Sequence, residues 1–86
     1  MIMKSRAYRP ADQPLPLGQA FALSGLTLEQ LYWNHLGIGG VLAPPELVSV
    51  LFEDAATDPS MHNVLAQVVN EGLMDAGRTE RVALAR

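Results

Sequence analysis

The stretch Leu31-Tyr-Trp-Asn-His-Leu-Gly-Ile-Gly-Gly-Val-Leu-Ala-Pro-Pro-Glu-Leu-Val48 sets three glycines and two prolines behind a Trp and a His. It is either a phosphate-cradling loop or the punctuation between two helices, and the fold follows from the choice. A phosphate loop places its glycines after a strand and before a helix, so that amides at the helix N-terminus meet the anion. Here the preceding residues read as a helix, the run from Gly37 to Gly40 completes no phosphate motif, and no Lys stands beside it. The stretch is punctuation. Gly37 is placed to take the left-handed conformation just past a helix, and Pro44 or Pro45 to occupy the first turn of the next one.

Working back from the glycines, Leu26-Thr-Leu-Glu-Gln-Leu31 is a helix start: Thr27 is the N-cap, Gln30 completes a capping box, and Leu26 and Leu31 hold the positions of a hydrophobic staple. The first helix then spans about residues 28 to 36, with Leu28, Leu31, Tyr32, His35 and Leu36 recurring at helical spacing. Working forward, a second helix runs from about Pro45 to Ala55. Its Leu47, Val48, Val50, Leu51 and Phe52 form an apolar surface wider than one stripe, which argues for a central position. Glu53 and Asp54 are unfavourable at a helix C-terminus and suit the following turn. Thr57-Asp-Pro-Ser60 opens a third helix, with Asp58 as N-cap and Pro59 in the first turn. Met61, Val64, Leu65, Val68, Val69, Gly72, Leu73 and Ala76 line its apolar face, Asn63, Gln67 and Asn70 lie opposite, and Gly77 ends it.

The flanks are less regular. Pro10, Pro14, Pro16 and Gly18 predict a flexible extended arm over residues 1 to 18. The tail from Arg78 to Arg86 reads either as a short fourth helix capped near Thr79 or as a strand through Val82 and Leu84, with the helix slightly favoured. The expectation is an all-α orthogonal bundle of three main helices, four if the tail is helical. An arm (1 to 18), a helical domain (19 to 77) and a short basic C-terminal tail (78 to 86) make up the chain.

A chain of 86 residues with 49% hydrophobic side chains is one small folded domain with a thin stability margin. The absence of cysteine removes disulfides and thiolate metal sites, which leaves association with a partner as the remaining reinforcement. No apolar stretch approaches the roughly 20 residues of a membrane span. The segment from Leu15 to Leu23 behind Lys4, Arg6 and Arg9 is broken by Pro16 and Gln19, so a cytoplasmic setting is expected over secretion. The net charge of −3 hides a separation: every Lys and Arg lies at an end, as Lys4, Arg6, Arg9, Arg78, Arg81 and Arg86, and from Pro10 to Gly77 there are only carboxylates. Such an acidic body repels nucleic-acid backbones. The basic ends either fold onto the body or face a partner.

Trp33 is the leading candidate for contact with a partner. It points about 140° from the first helix's apolar stripe by the 3.6-residue period, so it is either covered by Phe21, Leu23 or the arm, or available as an interface anchor. Glu29 and Leu36 are its neighbours. Val68, Gly72 and Ala76, spaced by four, form a helix-packing stripe for the first helix or for a second copy. His35 and His62 stand without a metal motif, the carboxylates Glu53, Asp54 and Asp58 lack the alternating pattern of a calcium loop, and no serine has a nucleophile-elbow context. No catalytic residue, metal, cofactor, membrane contact or small-molecule substrate is implied.

The runs Leu-Tyr-Trp-Asn-His-Leu-Gly-Ile-Gly-Gly, Pro-Glu-Leu and Val64-Leu-Ala-Gln-Val-Val-Asn-Glu71 resemble a group of small uncharacterised helical proteins from actinobacteria. In that group an aromatic-rich helix ends in Leu-Gly-Gly, here split by Ile38, and a third helix carries Leu-Ala-x-x-x-Asn-Glu. The resemblance spans about residues 26 to 77, implies the three-helix layout and a bacterial cytoplasmic setting, marks Asn70 and Glu71 for testing, and carries over no activity. The function expected is a non-enzymatic helical protein–protein interaction module with a regulatory role, acting as a homodimer or as a subunit of a complex. The second reading is a small helix-turn-helix-like DNA-binding transcriptional regulator that uses its basic tails for phosphate contacts.

Overall fold

The computed structural model describes residues 14 to 85, which form four helices: α1 (Leu17–Ser24), α2 (Leu28–Gly37), α3 (Pro44–Phe52) and α4 (Pro59–Asp75). The fold is all-α, with no strand among the described residues.

Local chemistry sets most of the boundaries. Thr27 Oγ1 accepts from the Gln30 amide at 3.0 Å and Gln30 Oε1 accepts from the Thr27 amide at 2.9 Å, closing the capping box that starts α2. Asp58 Oδ1 accepts from the Met61 amide at 2.9 Å, and Pro59 follows at the first helical position of α4. At α3 the N-cap is Ala43, which has no side-chain oxygen, so only the reciprocal half of a box forms: the Ala43 amide donates to Glu46 Oε1 at 2.8 Å. Gly77, at φ 76°, closes α4 in a Schellman motif, its amide donating to Met74 O at 3.0 Å and the Arg78 amide to Leu73 O at 2.8 Å.

Several expectations are corrected. Residues 17 and 18 belong to α1 and not to an arm, because Pro16 occupies the N-cap position, where its fixed φ is tolerated, and Leu17, Ala20, Phe21 and Ser24 then bury one face. Of the expected arm, residues 1 to 13 lie outside the described residues. The fourth helix is therefore α1, and the tail is not helical: residues 78 to 85 run as irregular chain, held by side chains of α4. The second predicted helix ends at Phe52, since Asp54 turns to a left-handed φ of 57° and the Ala55 amide folds back to Ser49 O. It is also not central. The hub is α4, which packs against both α1 and α2, while α3 packs on α1 and leaves Phe52 exposed.

The core gathers Leu17, Ala20 and Phe21 of α1, Leu31 of α2, Leu47 and Leu51 of α3, and Leu65, Ala66, Val68, Val69 and Leu73 of α4, with Val82 of the tail joining them. Each fully buried Leu contributes about 1.5–3 kcal/mol by removal from water. Gly72 lets the turn between α1 and α2 approach α4, since a Cβ there would stand 3.0 Å from Leu26 Cδ1 and 3.1 Å from Ser24 Cβ.

The glycine loop is organised by His35, which is fully buried. Its Nδ1 lies 2.6 Å from Tyr32 O, and its Nε2 accepts from the Leu42 amide at 3.0 Å, a pair satisfied by the neutral ring protonated on Nδ1. The Gly40 amide donates to His35 O at 2.7 Å, and a Cβ on Gly40 would overlap the imidazole. The left-handed residue of the loop is Gly39, at φ 100°, and not Gly37, which remains helical. The two neighbouring glycines thus differ in kind. Gly40→Ala is expected to lower stability by about 1–3 kcal/mol by overpacking. Gly37→Ala, with open space around the new methyl, should raise it by up to about 1 kcal/mol through helix propensity. Urea unfolding followed by far-ultraviolet circular dichroism checks both signs.

Candidate functional site

α2 presents two faces. Leu31 and His35 are turned inward and fully buried, whereas Glu29, Trp33 and Leu36, at spacings of four and three, share the opposite face. Trp33 is 61% exposed, so neither Phe21 nor Leu23 covers it, and residues 1 to 13 of the arm, the third expected cover, lie outside the described residues. Its ring meets that of Tyr32 edge-on, with centroids 5.2 Å apart.

The turn through Gly39 and Gly40 returns the chain so that the start of α3 lies beside the start of α2. Between them is a groove of about 450 Å³ lined by Leu28, Glu29, Tyr32, Trp33, Pro44 and Leu47. Its lining is mostly apolar, and the Glu29 carboxylate is its one charged group. Trp33 and Glu29 are therefore brought together in one concave surface; Leu36 lies farther along the same helix face, 36% exposed, and does not line the groove. Leu28, Tyr32, Pro44 and Leu47, which the sequence marks only as apolar-face and helix-start residues, complete the groove. The signal for Leu28 and Tyr32 was their half-buried position at the stripe's edge, but for Pro44 and Leu47 it was the path of the loop, which local sequence does not state.

The second pair of candidates lies elsewhere. Asn70 and Glu71 stand on α4, where Asn70 Oδ1 accepts from the Val82 amide at 2.7 Å and Asn70 Nδ2 donates to Val82 O at 3.1 Å. Glu71 is exposed and borders a separate groove of about 350 Å³ with Val64, Gln67, Met74 and Leu84. Of the packing stripe, Val68 and Gly72 are buried within the chain's own core region, and Ala76 is exposed, just past α4 at the C-cap.

The other titratable groups are dispersed. His62 Nε2 lies 2.8 Å from Ala83 O. Arg81 is turned onto its own backbone, with Nη1 donating to Arg78 O at 2.8 Å and Glu80 O at 2.6 Å. Arg78 and Glu80 form a surface pair at 3.9 Å, of the kind that contributes little. Among the described residues no three His, Asp or Glu side chains come together as metal ligands, and no helix is long and apolar enough to cross a membrane. Comparison with known proteins finds no matching family model, no matching curated protein and no matching solved structure.

Exposure separates two aromatic rings of one helix, Trp33 and His35, in what they contribute to stability. Trp33→Ala is expected to change unfolding free energy by no more than about 0.5 kcal/mol, as for other surface positions. His35→Phe, which keeps the ring volume but strands the Leu42 amide, should cost about 1–3 kcal/mol. Chemical denaturation of the two variants side by side tests the distinction.

Proposed function

We propose that this chain is a non-enzymatic protein-interaction module, regulatory in role and cytoplasmic in setting, whose contact surface is the groove between α2 and α3. The observation that carries the reading is Trp33: a large aromatic ring left 61% exposed at the wall of an apolar groove, on a scaffold fixed from behind by buried Leu31 and His35. Exposed tryptophans on rigid elements are favoured interface anchors, because they bring large area at small entropic cost.

The occupant that fits is a protein segment carrying an apolar side chain flanked by Lys or Arg. The apolar group fills the space between Leu28, Pro44 and Leu47. The cation pairs with Glu29 at the rim and stacks on the indole face. The wider charge distribution supports the same choice, since residues 10 to 77 carry carboxylates and no Lys or Arg, a field that draws basic partners and turns acidic ones away. A second copy is a candidate source of such a segment, because the chain's own ends hold all of its basic residues.

Selection of a displayed random-peptide library on the immobilised chain, with Trp33→Ala as the counter-target, tests this. Enriched peptides should share an apolar anchor beside Lys or Arg and lose at least tenfold in affinity for Trp33→Ala and severalfold for Glu29→Gln. Enrichment that ignores both substitutions would sink the reading. Sedimentation equilibrium of the wild type, showing a dimer that Trp33→Ala dissociates, would assign the occupant to a second copy. Tight, salt-sensitive retention of a DNA duplex would favour the DNA-binding alternative instead.

A further inference from the structure

The outward face of α4 does something unusual for a helix: it pairs with an extended chain through side-chain carboxamides. Asn70 exchanges two hydrogen bonds with the main chain of Val82, at 2.7 and 3.1 Å. Asn63 makes the same two with Ala85, its Oδ1 accepting from the amide at 2.6 Å and its Nδ2 donating to the carbonyl at 3.1 Å. Between them, His62 Nε2 meets Ala83 O at 2.8 Å. A carboxamide offers one acceptor and one donor side by side, so each Asn satisfies the N–H and C=O of one residue as a neighbouring strand would.

The spacing makes this a ruler. Asn63 and Asn70 are seven residues apart, nearly two turns, so they stand on one face about 10.5 Å from each other. The residues they hold are three apart and run antiparallel to the helix. Three residues is the repeat of a polyproline II chain, which advances about 9 Å over that length, close to the separation of the two asparagines. A β-strand repeats every two residues and would turn every third residue away.

All of these contacts read main chain and none reads sequence, so they hold any extended peptide in this register. Selectivity is left to two side chains. Val82 enters the core and is 4% exposed. Leu84 is 60% exposed beside the groove of about 350 Å³ formed with Val64 and Met74, and Met74 is itself 59% exposed. The resident segment therefore fills one subsite and leaves the other largely open.

We propose that the Asn63–Asn70 face of α4 is a receptor for an extended peptide, and that the chain's own C-terminal segment is its built-in occupant, displaced by a partner peptide that fills the open subsite better. The ligand has a Val-like residue at the Val82 position, a larger apolar or aromatic residue at the Leu84 position, and free N–H groups at both anchored positions. Gly77 supplies the hinge at which the resident segment leaves the helix. This face is separate from the Trp33 groove and does not rest on the reading given for it.

The test uses the full chain and a fluorescein-labelled peptide, Thr-Glu-Arg-Val-Ala-Phe-Ala-Arg, followed by polarisation. Weak binding to the wild type is expected, because the tethered segment competes at high effective concentration. Ala85→Pro, which removes the N–H that Asn63 accepts and leaves α4 unchanged, should tighten binding at least tenfold. Replacing Phe with Ala in the peptide, or N-methylating its two anchored residues, should weaken binding to this variant at least tenfold, and these changes leave the protein's fold untouched. Trp33→Ala should leave it unaffected, which separates this site from the groove on α2. No saturable binding to folded Ala85→Pro, or binding indifferent to N-methylation, overturns the proposal.

Discussion

The imidazole of His35 is the constraint from which the α2–α3 half of the molecule takes its shape. A fully buried polar ring must have both nitrogens engaged or lose several kcal/mol of hydration uncompensated. Here one nitrogen is engaged by the carbonyl of its own helix and the other by the amide of Leu42, beyond the glycine loop. That second bond fixes where the chain comes back. Gly40 has to be glycine for the loop to lie against the ring, and Gly39 has to reverse the chain. Once Leu42 is pinned, Pro44 and Leu47 are carried to positions beside Leu28 and Tyr32, and the groove beside Trp33 follows as a consequence.

How much of this could be read from the sequence depended on the distance over which each signal acts. The starts of α2 and α4 and the end of α4 were legible because Thr27 with Gln30, Asp58 with Pro59, and Gly77 each act within one turn of themselves. α1 was hidden behind Pro14 and Pro16, which read as an extended arm, although Leu17, Ala20, Phe21 and Ser24 already carried the helical spacing. The tail was misjudged because its conformation is decided by Asn63 and Asn70, far from it along the chain. Polar residues opposite an apolar stripe look like a solvated face, and nothing local distinguishes an asparagine that faces water from one that holds a backbone. In the candidate groove, the period of the helix placed Trp33 and Glu29 together, but the opposing wall could be seen only once the loop's path was known.

A domain of this size without cysteines has few ways to hold its ends. The described structure uses hydrogen bonds from side chain to main chain where a larger protein would add core. Ser24 Oγ donates to Phe21 O and accepts from the Leu26 amide, fastening α1 to α2. The Leu15 amide donates to Arg81 O at 2.9 Å, so the segment leading into α1 and the tail secure each other above α4. Such bonds contribute about 1 kcal/mol each, but they satisfy backbone groups that would otherwise be stranded, and the asymmetry between those two states fixes register.

The chain has one tryptophan, and it stands outside the core, in the wall of the groove. Indole emission follows the polarity around the ring, and this ring is largely in water whether the chain is folded or not. The core itself is assembled from Leu, Val, Ala, Met and a single Phe, with no strong emitter among them. Tryptophan emission accordingly reports little on folding and shifts to the blue when something dry settles against α2. The chain's single indole is thus an optical probe of the α2–α3 groove, and it is blind to whatever binds the far face of α4.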